Sequence, residues 1–185
     1  KDSKEKEPGK PFIKGEDGKE GWQVIESWTD GAKEGDTVHV DMNGSTTVPG
    51  EIFDSIRGRD VTVTFDMGNG ISWTVNGLDI TAQKGETIDF GVYLGAEAGK
   101  SIPVAVINNV TGERYSMNLT LSHEGEFGFT AVLTVNMDAA NAGLYANLFY
   151  YNPESGALEF ICAGQIDAEG NTDLTFTHAS DYTIV

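Results

Sequence analysis

The sequence predicts an α+β fold of two tandem strand-helix-strand-strand units followed by a C-terminal antiparallel meander, with the sheets covered on one face. Residues 48–67 and 102–121 align so that all eight large apolar residues of the first block meet an apolar residue in the second. The alignment also matches one proline and one glycine in each block, Pro49 with Pro103 and Gly58 with Gly112. These matches indicate an internal repeat. Apolar residues alternate with Thr, Ser and Asp along many segments, a pattern typical of half-buried antiparallel sheets rather than doubly wound parallel ones.

Residues 1–20 are expected to form a flexible charged linker. They combine dense charge with prolines and glycines, and their only large apolar side chains are the Phe-Ile pair at 12–13. A helix is predicted from about Lys19 to the glycines at 31–35. Its apolar stripe has the i, i+3, i+6 spacing of an amphipathic helix: Trp22, Ile25 and Trp28.

The first repeat unit is assigned to residues 21–83. After the helix, the pattern predicts a strand over 37–42, a short helix that starts behind Pro49 and is closed by Gly58, and a hairpin. A loop of Gly68, Asn69 and Gly70 pairs Phe65 with Trp73, which keeps apolar residues on one face. A two-residue loop would place Phe65 opposite Thr74 instead.

The second unit and the meander are assigned to residues 84–185, with one compact module over 21–185 left open. The second unit repeats the plan with a strand over 87–94, a helix from Pro103, and a hairpin that pairs Leu119 with Phe129 around a loop at 122–126. Many residues of that second helix are β-branched, which weakens the prediction. The meander strands are expected over 144–151, 158–164, 173–178 and 182–185.

The charge of the chain lies almost entirely on its body. Residues 1–21 hold six lysines and six acids, so the formal net charge of −17 belongs to residues 22–185, with six basic and twenty-three acidic side chains. An acidic surface repels phosphate groups, which excludes nucleic acid as the expected partner. No apolar stretch approaches the length of a membrane span, so no membrane insertion is expected in this segment. Cations, neutral glycans and basic proteins remain as partners.

The sequence predicts no catalytic residues, no metal ligands and no cofactor. None of the three histidines has a second histidine or a cysteine at ligand spacing. The acids fall at expected strand ends and turns, so a glycosidase pair is the least favoured alternative. Two loops, at 41–44 and 167–171, resemble calcium loops in part, and a structural calcium ion is left open. Cys162 alternates with Leu158 and Phe160 on one predicted strand face and is expected to be buried and inert.

Aromatic side chains are the remaining candidates for a binding site, because neutral sugars stack on flat rings with polar edges. Trp22 and Trp73 lie in predicted core stripes. In the strand over 144–151, one of two adjacent tyrosines must face outward. A four-residue loop places Phe149 opposite Leu158 and leaves Tyr150 outside, and a five-residue loop leaves Tyr151 outside. Trp28 lies at the edge of its apolar stripe and is expected to be partly exposed. The predicted binding residues are Trp28, Tyr150, Tyr151 and Tyr182.

Five runs of the chain resemble a module that recurs in large, multimodular surface proteins of Gram-positive gut bacteria: GWQVIESW, GDTVHVDMNGSTTVPGEIFDSI, GRDVTVTFDMGNGISWTVNGLDIT, GLYANLFYYNPESGALEF and LTFTHASDYTIV. The resemblance covers nearly all of residues 21–185. It implies secretion, attachment to the cell wall or cell surface, and no catalysis. It also implies neighbouring modules in the same polypeptide that degrade glycans or are adhesive. It assigns no site residues.

Two functions follow as expectations. The first is a non-catalytic extracellular accessory module that binds a glycan or a host or matrix protein. The alternative is a purely structural spacer, and a glycoside hydrolase is a distant third. Exposure of Trp28, Tyr150 and Tyr151 separates the first two, because a binding module needs rings on an open face and a spacer does not.

Overall fold

The structure, a computed structural model, describes residues 9–95 and 117–185. Within this part of the chain, 51% of the residues are in strands and 14% are helical. Among these described residues, nine strands form one large mixed sheet, two more form a small sheet, and two segments are α-helices. The α+β prediction is therefore wrong, because the described residues form a mostly-β fold in which two short helices accompany one continuous sheet.

The elements follow one another in this order: β1 (Phe12–Ile13), α1 (Trp22–Asp30), β2 (Thr37–Asp41), β3 (Thr47–Val48), α2 (Gly50–Ile56), β4 (Thr62–Gly68), β5 (Ile71–Asn76), β6 (Ile88–Asp89), β7 (Val92–Leu94), β8 (Met117–Asn136), β9 (Tyr145–Asn152), β10 (Ala157–Gln165) and β11 (Asn171–Ile184). Short 3-10 turns lie at Gly77–Asp79 and Ala139–Asn141.

The large sheet has the strand order β1-β2-β4-β5-β8-β11-β9-β10, and β7 also pairs with β8. Strands β2 and β4 are parallel, and every other pairing in this sheet is antiparallel. Helix α2 lies in the connection between β2 and β4, as a parallel pair requires, since a tight turn cannot join parallel strands. Strands β3 and β6 form the separate two-stranded sheet.

The first half of the chain follows its sequence pattern closely. Helix α1 begins at Trp22, three residues later than predicted, and helix α2 begins directly after Pro49. In the β4–β5 hairpin, Phe65 pairs with Trp73 and Val63 with Val75, which confirms the predicted register. The register shift between Asp66 and Gly68 supplies the extra residue, and the turn uses three consecutive residues with positive φ. Such φ values favour glycine and asparagine.

Part of the predicted linker belongs to the sheet. Strand β1 pairs with β2, and Ile13 is buried in the core. Lys14 forms an ion pair with Asp66 on β4. The carbonyl of Lys19 accepts a hydrogen bond from the Ile13 amide, so the chain folds back on itself before α1 begins.

One hydrophobic core joins the helices to the sheet, and an indole lies at its centre. Trp73 is fully buried and stacks on Phe90 at a centroid distance of 5.1 Å. Its Nε1 donates a 2.9 Å hydrogen bond to the Phe90 carbonyl. Phe127 and Phe176 contact the indole edge-on at 5.8 and 5.5 Å. Edge-on and stacked contacts are the favoured aromatic geometries.

The predicted hairpin around residues 122–126 is wrong. Strand β8 continues for twenty residues through this segment, and β11 continues through the predicted break before Tyr182. The two strands pair along most of their length, from Leu133 with Leu174 to Leu119 with Tyr182. The pairing has two register shifts, at each of which β8 advances five residues while β11 advances two, and glycines of β8 with positive φ lie at these shifts. A long partner strand satisfies the backbone groups that a hairpin would otherwise have paired locally.

The two aligned blocks therefore differ in topology, and the tandem-unit prediction is wrong. The strand β2 after Gly35 pairs in parallel in the large sheet, whereas its supposed counterpart β6 pairs with β3 in the small sheet. The hairpin β4–β5 has no counterpart among the described residues. The helix predicted from Pro103 lies outside the described residues. A shared apolar pattern specifies which residues face a core, but it does not specify which strand pairs with which.

Candidate functional site

The β9–β10 hairpin, at the end of the strand order, carries the candidate site. Its turn contains four residues, 153–156, and the register pairs Tyr151 with Leu158 and Phe149 with Phe160. Both predicted registers are wrong, because neither anticipated that Asn152 pairs with Ala157. On the core side of β9 lie Ala146 and Leu148, both buried.

A β-bulge at Ile161 determines which side chains of β10 point toward the core and which point outward. Phe160 pairs with Phe149, but the next paired residue, Cys162, lies opposite Leu148 on the core side. The extra residue reverses the inside-outside alternation along the strand. The prediction that Leu158, Phe160 and Cys162 share one face is therefore wrong. Cys162 packs against the core and is half-buried.

The outward side of the hairpin forms a row of rings that we call the outer face. It comprises Tyr145, Asn147, Phe149 and Tyr151 of β9 and Leu158 and Phe160 of β10. Tyr145 and Phe160 are each 59% exposed, and Phe149 and Tyr151 are half-buried. The Phe149 and Phe160 rings lie 5.7 Å apart at an angle of 70°. From Tyr145 to Tyr151 the row extends for roughly 20 Å, at about 3.4 Å per residue.

Polar side chains of β11 and β8 border the outer face. Thr183 pairs directly with Phe149, and its hydroxyl lies 3.0 Å from the Asn118 side-chain oxygen. Asp181 precedes Tyr182, which pairs with Tyr150, so alternation places the Asp181 carboxylate on the side of Tyr151. Its Oδ1 accepts a 2.8 Å hydrogen bond from Thr120. Thr183 is fully buried, and these polar groups of β11 and β8 bond to one another along the border.

Of the four predicted binding residues, only Tyr151 lies on the outer face. Tyr150 faces inward and packs against the core. Its ring contacts His178 at 5.0 Å and Tyr182 at 5.9 Å. The prediction that Tyr150 is a surface ring is wrong, because the observed register turns Tyr151 outward.

Tyr182 is also not a surface ring, which corrects that prediction. It is 2% exposed, and its hydroxyl donates a 2.7 Å hydrogen bond to the His178 carbonyl. Burial, which disfavours the charged phenolate, raises the pKa of Tyr182 well above its usual range. The ring fills the core between Phe176 and Tyr150.

Trp28 is partly exposed but lies elsewhere. It is 37% exposed on α1, and the Lys19 Nζ lies 5.6 Å from its ring centre. Helix α1 contacts α2, β1 and β2, at the opposite end of the strand order from β9. The structure therefore does not bring Trp28 together with Tyr151.

One group of acidic side chains lies between the two helices. A shallow groove between α1 and α2 is lined by Glu26, Asp30, Glu51 and Asp54. A hydrogen bond from Arg57 lowers the pKa of Asp54, and the Gly85 amide donates to the same carboxylate at 2.7 Å. A glycosidase acid requires a raised pKa, and Asp54 is shifted in the other direction.

Both loops that resemble calcium loops use their aspartates to cap turns. The Asp41 carboxylate accepts from the Asn43 amide at 2.8 Å, and Asp167 accepts from the amides of Glu169 and Asn171 at 3.0 and 2.9 Å. Such contacts are typical Asx turns. Among residues 9–95 and 117–185, no three His, Cys, Asp or Glu side chains cluster as metal ligands would.

A cavity of about 360 Å³ opens at the beginning of β9, and we call it the foot cavity. Its apolar lining includes Met137, Ile166 and Ile184, which are all buried. The outer-face residues Tyr145 and Asn147 also line it, so the foot cavity and the outer face are continuous.

Sequence reasoning missed Tyr145, Phe149 and Phe160. The alternation of β9 contains the signal for the first two, since Tyr145, Phe149 and Tyr151 are separated by even numbers of residues. Phe160 could not be assigned in this way, because the bulge that turns it outward depends on pairing with β9 and has no signature in the β10 sequence.

No protein-family model, curated protein or solved structure matches this chain. None of the described helices is long and apolar enough to cross a bilayer.

Proposed function

We propose that this chain is a non-catalytic accessory module of a bacterial surface protein and that it binds a glycan chain through the outer face. The observation that carries the proposal is the row of aromatic rings on the outside of a terminal hairpin. Exposed aromatic and aliphatic side chains that form one continuous surface usually mark an interaction site.

Three features of the outer face support a glycan as the ligand. Tyr145 and Tyr151 each offer an aromatic ring on which the apolar face of a sugar can stack. The phenolic hydroxyl groups of Tyr145 and Tyr151 can exchange hydrogen bonds with sugar hydroxyls at the edges of the rings. The row is extended and open, which fits a chain of several sugars better than a single small molecule.

The charge of the body favours a neutral glycan. The formal net charge of −17 repels anionic ligands, including nucleic acids and acidic lipid headgroups. Extracellular placement on a Gram-positive cell surface, beside other modules of the same polypeptide, is supported by the resemblance of residues 21–185 to modules of such proteins.

A host or matrix protein is the second candidate ligand. Leu158, Phe160 and Ile161 form an aliphatic and aromatic patch near the turn, and Phe160 and Ile161 are 59% and 41% exposed. The crossed planes of Phe149 and Phe160 resemble the irregular packing of protein interfaces more than a flat sugar platform. A basic protein would also complement the acidic body.

Affinity electrophoresis in polysaccharide gels tests the glycan proposal. We expect Tyr151→Ala combined with Phe160→Ala to abolish retention by a gel that retards the parent chain. Both rings are at least partly exposed, so the double variant should lose no more than about 2 kcal/mol of folding free energy.

Trp28→Ala serves as the control, because it removes a partly exposed ring at the other end of the sheet. It should leave retention unchanged. Equal mobility of the double variant and the parent in every gel would refute the proposal, and loss of retention only in Trp28→Ala would place the site on α1. Retardation by no gel would favour the structural spacer.

A further inference from the structure

The foot cavity differs from the rest of the molecule in charge. It is lined by apolar side chains together with Asn141 and Asn147, and no charged side chain of the described residues is among its lining. The body around it holds twenty-three acidic and six basic side chains. A lining without charged side chains suits a neutral ligand, since no side chain there could pair with a buried ion.

The cavity combines a closed apolar floor with a semi-open mouth. Met137, Ile166 and Ile184 are 7%, 5% and 1% exposed. Tyr145 and Leu144, each 59% exposed, stand at the mouth. A small apolar group can therefore be buried on the floor while a larger attached ring rests against Tyr145.

The two asparagines supply polar groups that remain available. The Asn141 side chain donates one hydrogen bond to the Met137 carbonyl at 2.7 Å, and Asn147 donates one to the Val185 carbonyl at 3.2 Å. An asparagine amide carries two N–H donors and one carbonyl oxygen. Within the described residues, each of these side chains thus keeps one N–H and its oxygen for a ligand.

We propose that the foot cavity binds the acetamido group of an N-acetylated sugar, at one end of a glycan chain that lies along the outer face. The methyl group contacts the floor, and the amide N–H and carbonyl are bonded by Asn141 and Asn147. The sugar ring stacks on Tyr145. This inference rests on the proposed function and specifies the sugar class that the site prefers.

Two tetrasaccharides that differ in their acetamido groups test the inference. Chitotetraose carries an acetamido group where cellotetraose carries a hydroxyl group, and the two backbones are otherwise the same. By isothermal titration, we expect the parent chain to bind chitotetraose about tenfold more tightly, the effect of one or two amide hydrogen bonds. Equal affinity for the two sugars would overturn the inference and leave the proposed glycan binding intact.

Asn147→Ala locates the preference. The Val185 carbonyl keeps its 3.0 Å hydrogen bond from the Asn147 backbone amide, so the strand pairing survives the substitution. We expect chitotetraose affinity to fall about tenfold and cellotetraose affinity to change less than about twofold. Gln23→Ala, which removes an exposed amide side chain on α1, is the control and should change neither. A chitotetraose affinity that survives Asn147→Ala would overturn the assignment.

A second measurement separates the cavity from the outer face. N-acetylglucosamine alone should shift the side-chain amide signals of Asn141 and Asn147 in a nitrogen-15 NMR titration, and glucose should not. If these signals move but neither tetrasaccharide binds, the cavity assignment stands and the outer-face proposal fails. If N-acetylglucosamine leaves both signals unmoved, the cavity assignment is refuted, whatever the outer face binds.

Discussion

Replacing Trp73 with phenylalanine should destabilise the protein far more than the same change at Trp28. The Trp73 indole donates a 2.9 Å hydrogen bond to the Phe90 carbonyl in the buried core. Leaving that carbonyl without a donor costs about 1–3 kcal/mol. The smaller phenyl ring also leaves a void of roughly 40 Å³, which costs about 1 kcal/mol. We expect a total loss of about 3 kcal/mol, or roughly 6–12 °C in Tm.

Urea unfolding followed by far-ultraviolet circular dichroism measures this loss without relying on tryptophan fluorescence. Trp28→Phe is the matched control, because Trp28 is 37% exposed and its polar contact is with Lys19 at the surface. It should change the free energy of unfolding by less than about 1 kcal/mol. Similar losses in the two variants, or a loss under about 1 kcal/mol for Trp73→Phe, would refute the placement of Trp73 at the centre of the core.

Two further substitutions test other parts of the fold. Burial raises the pKa of Tyr182 above the ordinary value of 10.0, so above about pH 10 the unfolded chain ionises first and stability falls by up to about 1.4 kcal/mol per pH unit. Tyr182→Phe lacks this phenol and does not lose this part of its stability at high pH. In urea unfolding, the difference in stability between the parent and Tyr182→Phe should therefore be smaller at pH 11 than at pH 8. An equal difference at both pH values would contradict the burial of Tyr182. A Cβ added at Gly50 would lie 2.2 Å from the Gly85 carbonyl oxygen, so Gly50→Ala should cost at least about 1–3 kcal/mol. Gly31→Ala, whose nearest contact is an ordinary 3.4 Å, should stay within about 0.5 kcal/mol, and equal effects would show that the close approach is absent.

Short-range structure was predictable because it depends on local spacing. Helix α2 begins behind Pro49, and the β4–β5 register follows from the need to keep Phe65 and Trp73 on one face. Long-range pairing was not predictable in this way. The alternation in β8 indicates which side chains are buried, but the same alternation suits a hairpin or one strand of twenty residues. The choice depends on β11, which lies far along the chain.

The candidate site shows the same division between local and long-range information. Alternation correctly requires one of Tyr150 and Tyr151 to face outward. The register decides which of the two faces outward. That register depends on the pairing of β9 with β11, in which Tyr150 lies opposite Tyr182. The bulge at Ile161 likewise exists only in the paired hairpin. A single inserted residue therefore places Phe160 on the outer face, whereas Cys162 lies on the core side.

A glycan array probed with the parent chain and with the Tyr151→Ala, Phe160→Ala double variant tests the central claim most directly. The account predicts that the parent binds a set of neutral glycans and that the double variant binds none of them. Binding of the same glycans by both chains, or of none by the parent, would contradict the claim that the outer face is a glycan-binding site.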